Sequence, residues 1–229
     1  MSDQADRLRQ LALASRGTAV ASAFAGEMPH STASESKRTT RSLLFTSGKG
    51  GVGTSNLVLN LAVALGEMGQ RVVAVDADLG LANLDLLCGL TPRYDLGDVL
   101  SGRCRLIDAV VMGPGDIQIL PGAHAIRTNG EDLSGGPARL AAELRELESE
   151  ADFVLVDGGS GLGPGITTLA AAADQVVIVS TPEPTSVADA HAAISRFQRL
   201  PASPRLRVLV NQAASTSEAT DVLDRLVAS

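Results

Sequence analysis

Residues 42–56 read SLLFTSGKGGVGTSN, an apolar run, a glycine-rich turn and the opening of a helical pattern. Gly48, Gly50, Gly51 and Gly53, with Val52 between the last two, lie where a strand hands over to a helix. There their backbone N–H groups can converge on an anion at the helix N-terminus. The spacing is that of the phosphate-binding pattern G-x-x-x-x-G-K-[ST], with one departure: Thr54 stands where the pattern has lysine. Ser55 keeps the position whose hydroxyl ligates Mg²⁺ in such loops, and Asn56 follows it. Lys49 is the only lysine between residues 43 and 229, so a chain that otherwise avoids lysine there has put one inside the loop.

Working outward, short apolar runs alternate with helical patterns, the signature of βαβ units and a parallel sheet. Strands are predicted at 42–47, 71–76, 116–120, 153–157, 175–180 and 206–211. Helices are predicted at 56–68, around 137–150, at 164–173 and at 185–198, with a last helical pattern near 217–229. Runs that are apolar on both faces belong inside a sheet covered on both sides. The expected class is therefore α/β, a doubly wound, mostly parallel sheet with helices on both faces. In such sheets ligands collect at the carboxyl ends of strands, and the polar clusters sit there. Asp76 and Asp78 follow one strand and Asp157 ends another. Gly158, Gly159 and Gly161 after it read as a mobile turn. Asn211 follows the last strand, where it can read a base edge; a plain turn role explains it equally well.

The chain has 229 residues, 45% of them apolar and 2% aromatic, as expected for one domain with an Ala/Val/Leu/Ile core. Residues 1–42 carry six Lys/Arg against four Asp/Glu, leaving 13 against 22 for residues 43–229. An acidic domain disfavours a stripe that neutralises nucleic-acid phosphates. Cys88 and Cys104 have no metal-ligand spacing and read as reduced structural thiols. No signal-peptide pattern and no run of ~18 apolar residues is found, which predicts a cytoplasmic chain.

Residues 1–17 predict a short amphipathic helix with Leu8 and Leu11 on its apolar side, and residues 18–41 a flexible linker rich in Ala, Ser and Thr. The nucleotide-binding domain is expected over 42–229.

Together these blocks resemble the MinD/ParA family of ATPases with a deviant Walker A loop, G-K-G-G-V-G-K-[ST]-[TSN]. VDADLGLANLDLL (75–87) is similar to that family's switch I block. FVLVDGGSG (153–161) resembles its Walker B and switch II block, usually D-T-G-A-G or D-S-P-A-G, and TPEPTSVADAH (181–191) resembles T-P-E-P-T-S-x-x-D-A-Y. The last block, Asn56 and DQADRLR at 3–9 are similar to the branch that regulates flagellar number (FlhG, also called FleN). In that branch an N-terminal D-Q-A-x-x-L-R helix stimulates an FlhF-type GTPase; Asp3, Gln4, Ala5, Leu8 and Arg9 fit the pattern.

The resemblance implies ATP or ADP with Mg²⁺ and an ATP-dependent homodimer in which Lys49 reaches the partner's phosphates. It also implies that Asp78 positions the attacking water, that Asp76 and Asp157 support Mg²⁺ through water beside Ser55, and that Asn211 contacts adenine. Gly48 to Asn56 would form the phosphate cradle, and flagellar assembly components would be the wider partners. Thr54 predicts slow or absent hydrolysis. The alternatives are a non-hydrolysing scaffold and, disfavoured by the acidic domain, a DNA-partitioning ATPase. The pattern SEATDVLDRLVAS at 217–229 has three acidic residues and one arginine, which predicts no autonomous binding to anionic lipid.

Overall fold

The computed structural model describes residues 41–78, 81–123, 136–147, 150–161, 163–201 and 204–227. The N-terminal helix expected over 1–17, with Asp3, Gln4, Leu8 and Arg9, lies outside the described residues, as does the linker up to residue 40. Arg41, assigned to the linker from sequence, is the first residue of a strand.

Seven strands form one sheet: β1 (Arg41–Ser47), β2 (Val72–Asp76), β3 (Val111–Met112), β4 (Gln118–Leu120), β5 (Phe153–Ser160), β6 (Gln175–Ser180) and β7 (Arg205–Val210). Their order is β3-β4-β2-β5-β1-β6-β7. Every pairing is parallel except β3 with β4. The described helices are α1 (Thr54–Glu67), α2 (Leu84–Leu87), α3 (Leu96–Leu100), α4 (Leu106–Ala109), α5 (Gly136–Leu147), α6 (Pro164–Ala172), α7 (Pro184–Gln198) and α8 (Thr216–Val227).

The period-2 alternation of the strands divides the core into two layers. Leu44, Val73, Val75, Val154, Val156, Val176 and Ile178 face one layer, with Leu140 of α5, Leu169 of α6 and Phe197 of α7. Phe45, Val72, Ala74, Leu155, Val177 and Val179 face the other, with Val58 and Ala62 of α1. Burial on both faces is why these strands read as continuous apolar runs.

β1 lies between β5 and β6, so the chain leaves it toward one side for β2 and returns to build β6 on the other. That reversal opens the crevice in which ligands of doubly wound sheets bind, and the glycine loop starts there. β5 also runs longer than the sequence predicts: Gly158 and Gly159 belong to the strand and are buried, in place of the mobile turn expected of them. Pairing with β1 holds them there, across an irregularity between Phe45 and Ser47, with Ser47 opposite Ser160.

Candidate nucleotide site

Helix α1 begins at Thr54 without a side-chain cap and without an acidic residue in its first turn. Its first N–H groups therefore have no protein acceptor from a cap and face the loop. Gly53 at the N-cap takes φ +90° and Gly51 takes φ +82°, left-handed values that favour glycine at both turns.

The loop is held from three sides. Ser47 Oγ donates to Lys49 O at 2.9 Å. A Cβ on Gly48 would come within 2.5 Å of Asp189 Cβ and 2.6 Å of that residue's backbone, so the loop lies directly on α7. Asn211 Nδ2 donates to Val52 O at 2.8 Å, while Asn211 N donates to Ser180 O at 2.8 Å. Asn211, expected to read the base, thus first braces the loop; its amide oxygen retains the acceptor function that an adenine amino group needs.

Lys49 makes the least expected contacts. Its Nζ lies 2.6 Å from Glu183 Oε1 and 3.0 Å from Thr185 Oγ1, both at the start of α7. The pair is open to solvent, with side-chain exposures of 36% and 56%, and the Lys49 ammonium holds the Glu183 carboxyl below its ordinary range. Thr54 is buried at the first position of α1. Ser55 is half-buried and Asn56 exposed.

Asp76 ends β2 and stands in register with Asp157, three residues before the end of β5, and both carboxylates are fully buried. Asp76 Oδ2 accepts from Asn83 N at 2.8 Å and Leu84 N at 3.0 Å, and Oδ1 from Asp78 N at 3.2 Å. Gly122 makes room for it, since a Cβ there would meet Asp76 Cγ at 2.7 Å. Burial pushes the Asp76 carboxyl up to about 7, against these N–H bonds and with help from the charge of Asp157. Burial also raises Asp157, opposed by the Ser55 hydroxyl and Gly159 N–H. Asp157 Oδ1 accepts from Gly159 N at 3.0 Å. Although Ser55 acts on this carboxylate, no hydrogen bond of good geometry reaches Oδ2, which is left as an orphaned buried oxygen. The half-buried Asp78 packs its carboxylate onto the bare Cα of Gly159, which has φ +63°, and its Oδ1 accepts from Leu81 N at 3.1 Å.

An orphaned carboxylate oxygen next to a serine hydroxyl, below an uncapped helix N-terminus, fits a hydrated divalent cation carrying a phosphate chain. Among the described residues no three His, Cys, Asp or Glu side chains gather as a direct metal-ligand set. The fit is therefore to a cation held by Ser55, phosphate and water, with Asp76 and Asp157 behind the water.

A family model described as an AAA domain matches residues 40–208. The chain belongs to the MinD/ParA family of P-loop ATPases. Within that family it is similar to the Antiactivator FleN of Pseudomonas aeruginosa, 40% identical over 184 residues that make up 80% of this chain and 66% of that protein. It is also similar to the Flagellum site-determining protein YlxH of Helicobacter pylori, 32% identical over 84% of this chain and 65% of that protein. Among solved structures, MinD of Pyrococcus horikoshii complexed with Mg-ADP superposes with a TM-score of 0.70 at 32% identity, over 80% of this chain and 77% of that one. The chain thus spans about two thirds of the length of these curated relatives.

The structure places the loop, Asp76, Asp78, Asp157 and Asn211 toward the carboxyl ends of their strands. Sequence reasoning missed Glu183 and Thr185. The TPEPTS block was visible, but nothing in its spacing ties it to a lysine 134 residues away. Arg93, after the switch-like block, has its guanidinium 5.1 Å from the ring centre of Tyr94. Burial and acidic neighbours raise the Cys88 and Cys104 thiols, in keeping with structural cysteines. Among the described residues no helix is long and apolar enough to cross a membrane.

Proposed function

We propose that the chain is a nucleotide-operated regulatory switch of the FlhG type that controls flagellar number or placement through ATP-linked dimerisation. The observation that carries this reading is the loop itself: an uncapped helix N-terminus with two buried carboxylates at its side and one lysine held by a solvent-open ion pair with Glu183 and the Thr185 hydroxyl. The FleN and YlxH relatives carry the flagellar part, and the Mg-ADP in the MinD relative supports ATP or ADP with Mg²⁺ as the ligand.

In this reading the N–H groups of residues 50–55 hold the phosphates and Asn211 accepts from the base. Asp78 orients the attacking water against the terminal phosphate. Ser55 would hold Mg²⁺, with Asp76 and Asp157 behind its water, and the ion would supply charge neutralisation on the phosphate chain. Thr54 offers one neutral hydroxyl where the family has a positive charge, so hydrolysis is slow or absent. The described strand ends bring no second lysine to compensate. The N-terminal residues Asp3, Gln4, Leu8 and Arg9 would engage an FlhF-type GTPase, which deletion of residues 2–12 tests through loss of GTPase stimulation.

The deciding experiment is titration of the chain with ADP and with a non-hydrolysable ATP analogue, each with and without Mg²⁺. Mg²⁺-dependent binding of both is expected. Absence of binding would leave the second reading, a scaffold that has kept the fold and lost the ligand, which the substitution at Thr54 favours.

A further inference from the structure

Ser160 is the last residue of β5, three positions beyond Asp157, and its side chain is exposed at the carboxyl edge of the sheet. The blocks that this segment resembles, usually D-T-G-A-G or D-S-P-A-G, carry alanine at that position, where this chain carries a hydroxyl. Its placement is tightly fixed. Ser160 stands opposite Ser47 in the β1–β5 pairing, the next residue's N–H donates to Ser47 O at 2.8 Å, and Thr46 Oγ1 donates to Gly159 O at 3.5 Å.

These ties set the hydroxyl over the phosphate loop. A Cβ built on Gly50 would lie 3.6 Å from Ser160 Oγ, with nothing else within 4 Å. Gly50 is exposed, as a loop residue that receives a ligand must be. On the other side of Ser160, Asp78 rests its carboxylate on Gly159. Ser160 and Asp78 both line a cavity of about 210 Å³ that runs back to Leu140, Ile166 and Leu169. The hydroxyl makes no hydrogen bond to another described residue, so both its donor and its acceptor capacity remain.

From this geometry we infer that Ser160 contacts the terminal phosphate of a bound nucleoside triphosphate and so distinguishes triphosphate from diphosphate at this site. The inference rests on the proposed nucleotide site and adds a discriminating residue to it. A donor on this strand end lies across the loop from the first turn of α1. It therefore meets the end of the phosphate chain, while the glycine N–H groups and Ser55 serve the part that both nucleotides share. A neutral hydroxyl adds a modest, directional bond and no charge. That suits a loop lacking its second lysine, because it favours the triphosphate-bound state without accelerating the transfer step to the same degree.

The test compares Mg-ADP with a Mg-bound non-hydrolysable ATP analogue on the full chain, in the wild type and in Ser160→Ala and Ser160→Thr, by calorimetry. Ser160→Ala should weaken the triphosphate analogue roughly three- to tenfold while ADP affinity changes by less than about twofold, and Ser160→Thr, which keeps a hydroxyl, should restore the preference. An equal change in both affinities, or none, overturns the inference while leaving the nucleotide site standing. Failure of the wild type to bind either nucleotide overturns both. Because the side chain is exposed and has no hydrogen-bond partner among the described residues, retained ADP binding in Ser160→Ala also reports that the variant is folded.

Discussion

At the scale of single residues, Thr54 and Asp76 set what the site can do. A lysine at position 54 would sit over the phosphates and offset charge that grows toward the transition state. Removing one such stabiliser costs roughly 3–4 kcal/mol, or two to three orders of magnitude in rate. Thr54→Lys should therefore raise phosphate release by about that factor and raise ATP affinity less, since the glycine N–H groups already serve the ground state. Equal turnover in both forms would mean that another cation acts on the phosphates. Asp76 gives a pH signature. Its carboxyl titrates near 7 in the fold instead of at its ordinary value near 4, so across that interval the native state holds a proton that the unfolded chain has lost. Stability of the ligand-free chain should accordingly fall as pH rises from about 4 to about 7, and Asp157, raised for the same reason, acts in the same direction. If Asp76 and Asp157 back a Mg²⁺ as proposed, the ion is held best when both are ionised, so the melting-temperature increase given by Mg-ADP should grow over that range. A stabilisation by Mg-ADP that is flat with pH would mean that Asp76 stays out of the metal site.

Between elements, the phosphate loop is a piece of backbone clamped onto α7 and β7 rather than a free loop. Gly48 has a negative φ, so its need for glycine is purely steric: the Cβ of Gly48→Ala would overlap Asp189 Cβ and backbone at 2.5–2.6 Å. The helix backbone cannot yield as a side chain would, and overpacking of this kind costs about 1–3 kcal/mol. Urea unfolding of Gly48→Ala should show an unfolding free energy lower by that amount, read as a lower midpoint, with weakened nucleotide binding; an unchanged midpoint would mean that α7 moves easily. The same contrast explains what the sequence disclosed. β1, β2, β5, β6 and β7 were legible because burial on both faces leaves runs such as RVVAVD and QVVIVS, punctuated by glycine or acidic residues. α2, α3 and α4 span four or five residues, little more than one turn and too few to show a repeating period, and were missed. In α3 the signal was present but unread: Asp95 and Asp98 form a reciprocal capping box, at 3.1 Å and 3.0 Å, with aspartate in the place where glutamate is usual. Site residues at strand ends were legible from position alone. Contacts that cross the sheet, Lys49 with Glu183 and Asn211 with Val52, depend on the strand order and leave no trace in local spacing.

For the whole molecule, the question is whether one protomer can hold its own site closed. Lys49 projects from the loop, yet within the chain its ammonium is occupied by Glu183 and Thr185. That pair is exposed, and exposed ion pairs hold their partners weakly because water and salt compete with them. A phosphate chain offered by a second protomer provides multiply charged acceptors in a less hydrated setting, and charge-assisted bonds of that kind are worth about 1.5–3 kcal/mol each. The lysine should therefore exchange Glu183 for the partner's nucleotide when two loaded protomers meet, which makes dimerisation depend on ATP. Lys49→Ala should lower the ATP-dependent dimer fraction, measured by sedimentation velocity with Mg²⁺, by more than tenfold in association constant. Glu183→Gln should act the other way, since it removes the competing carboxylate and leaves the lysine available. The opposed signs are what make the pair informative. If Lys49 served only to anchor the loop to α7, both substitutions would loosen the same contact, and both would weaken nucleotide binding and dimerisation together.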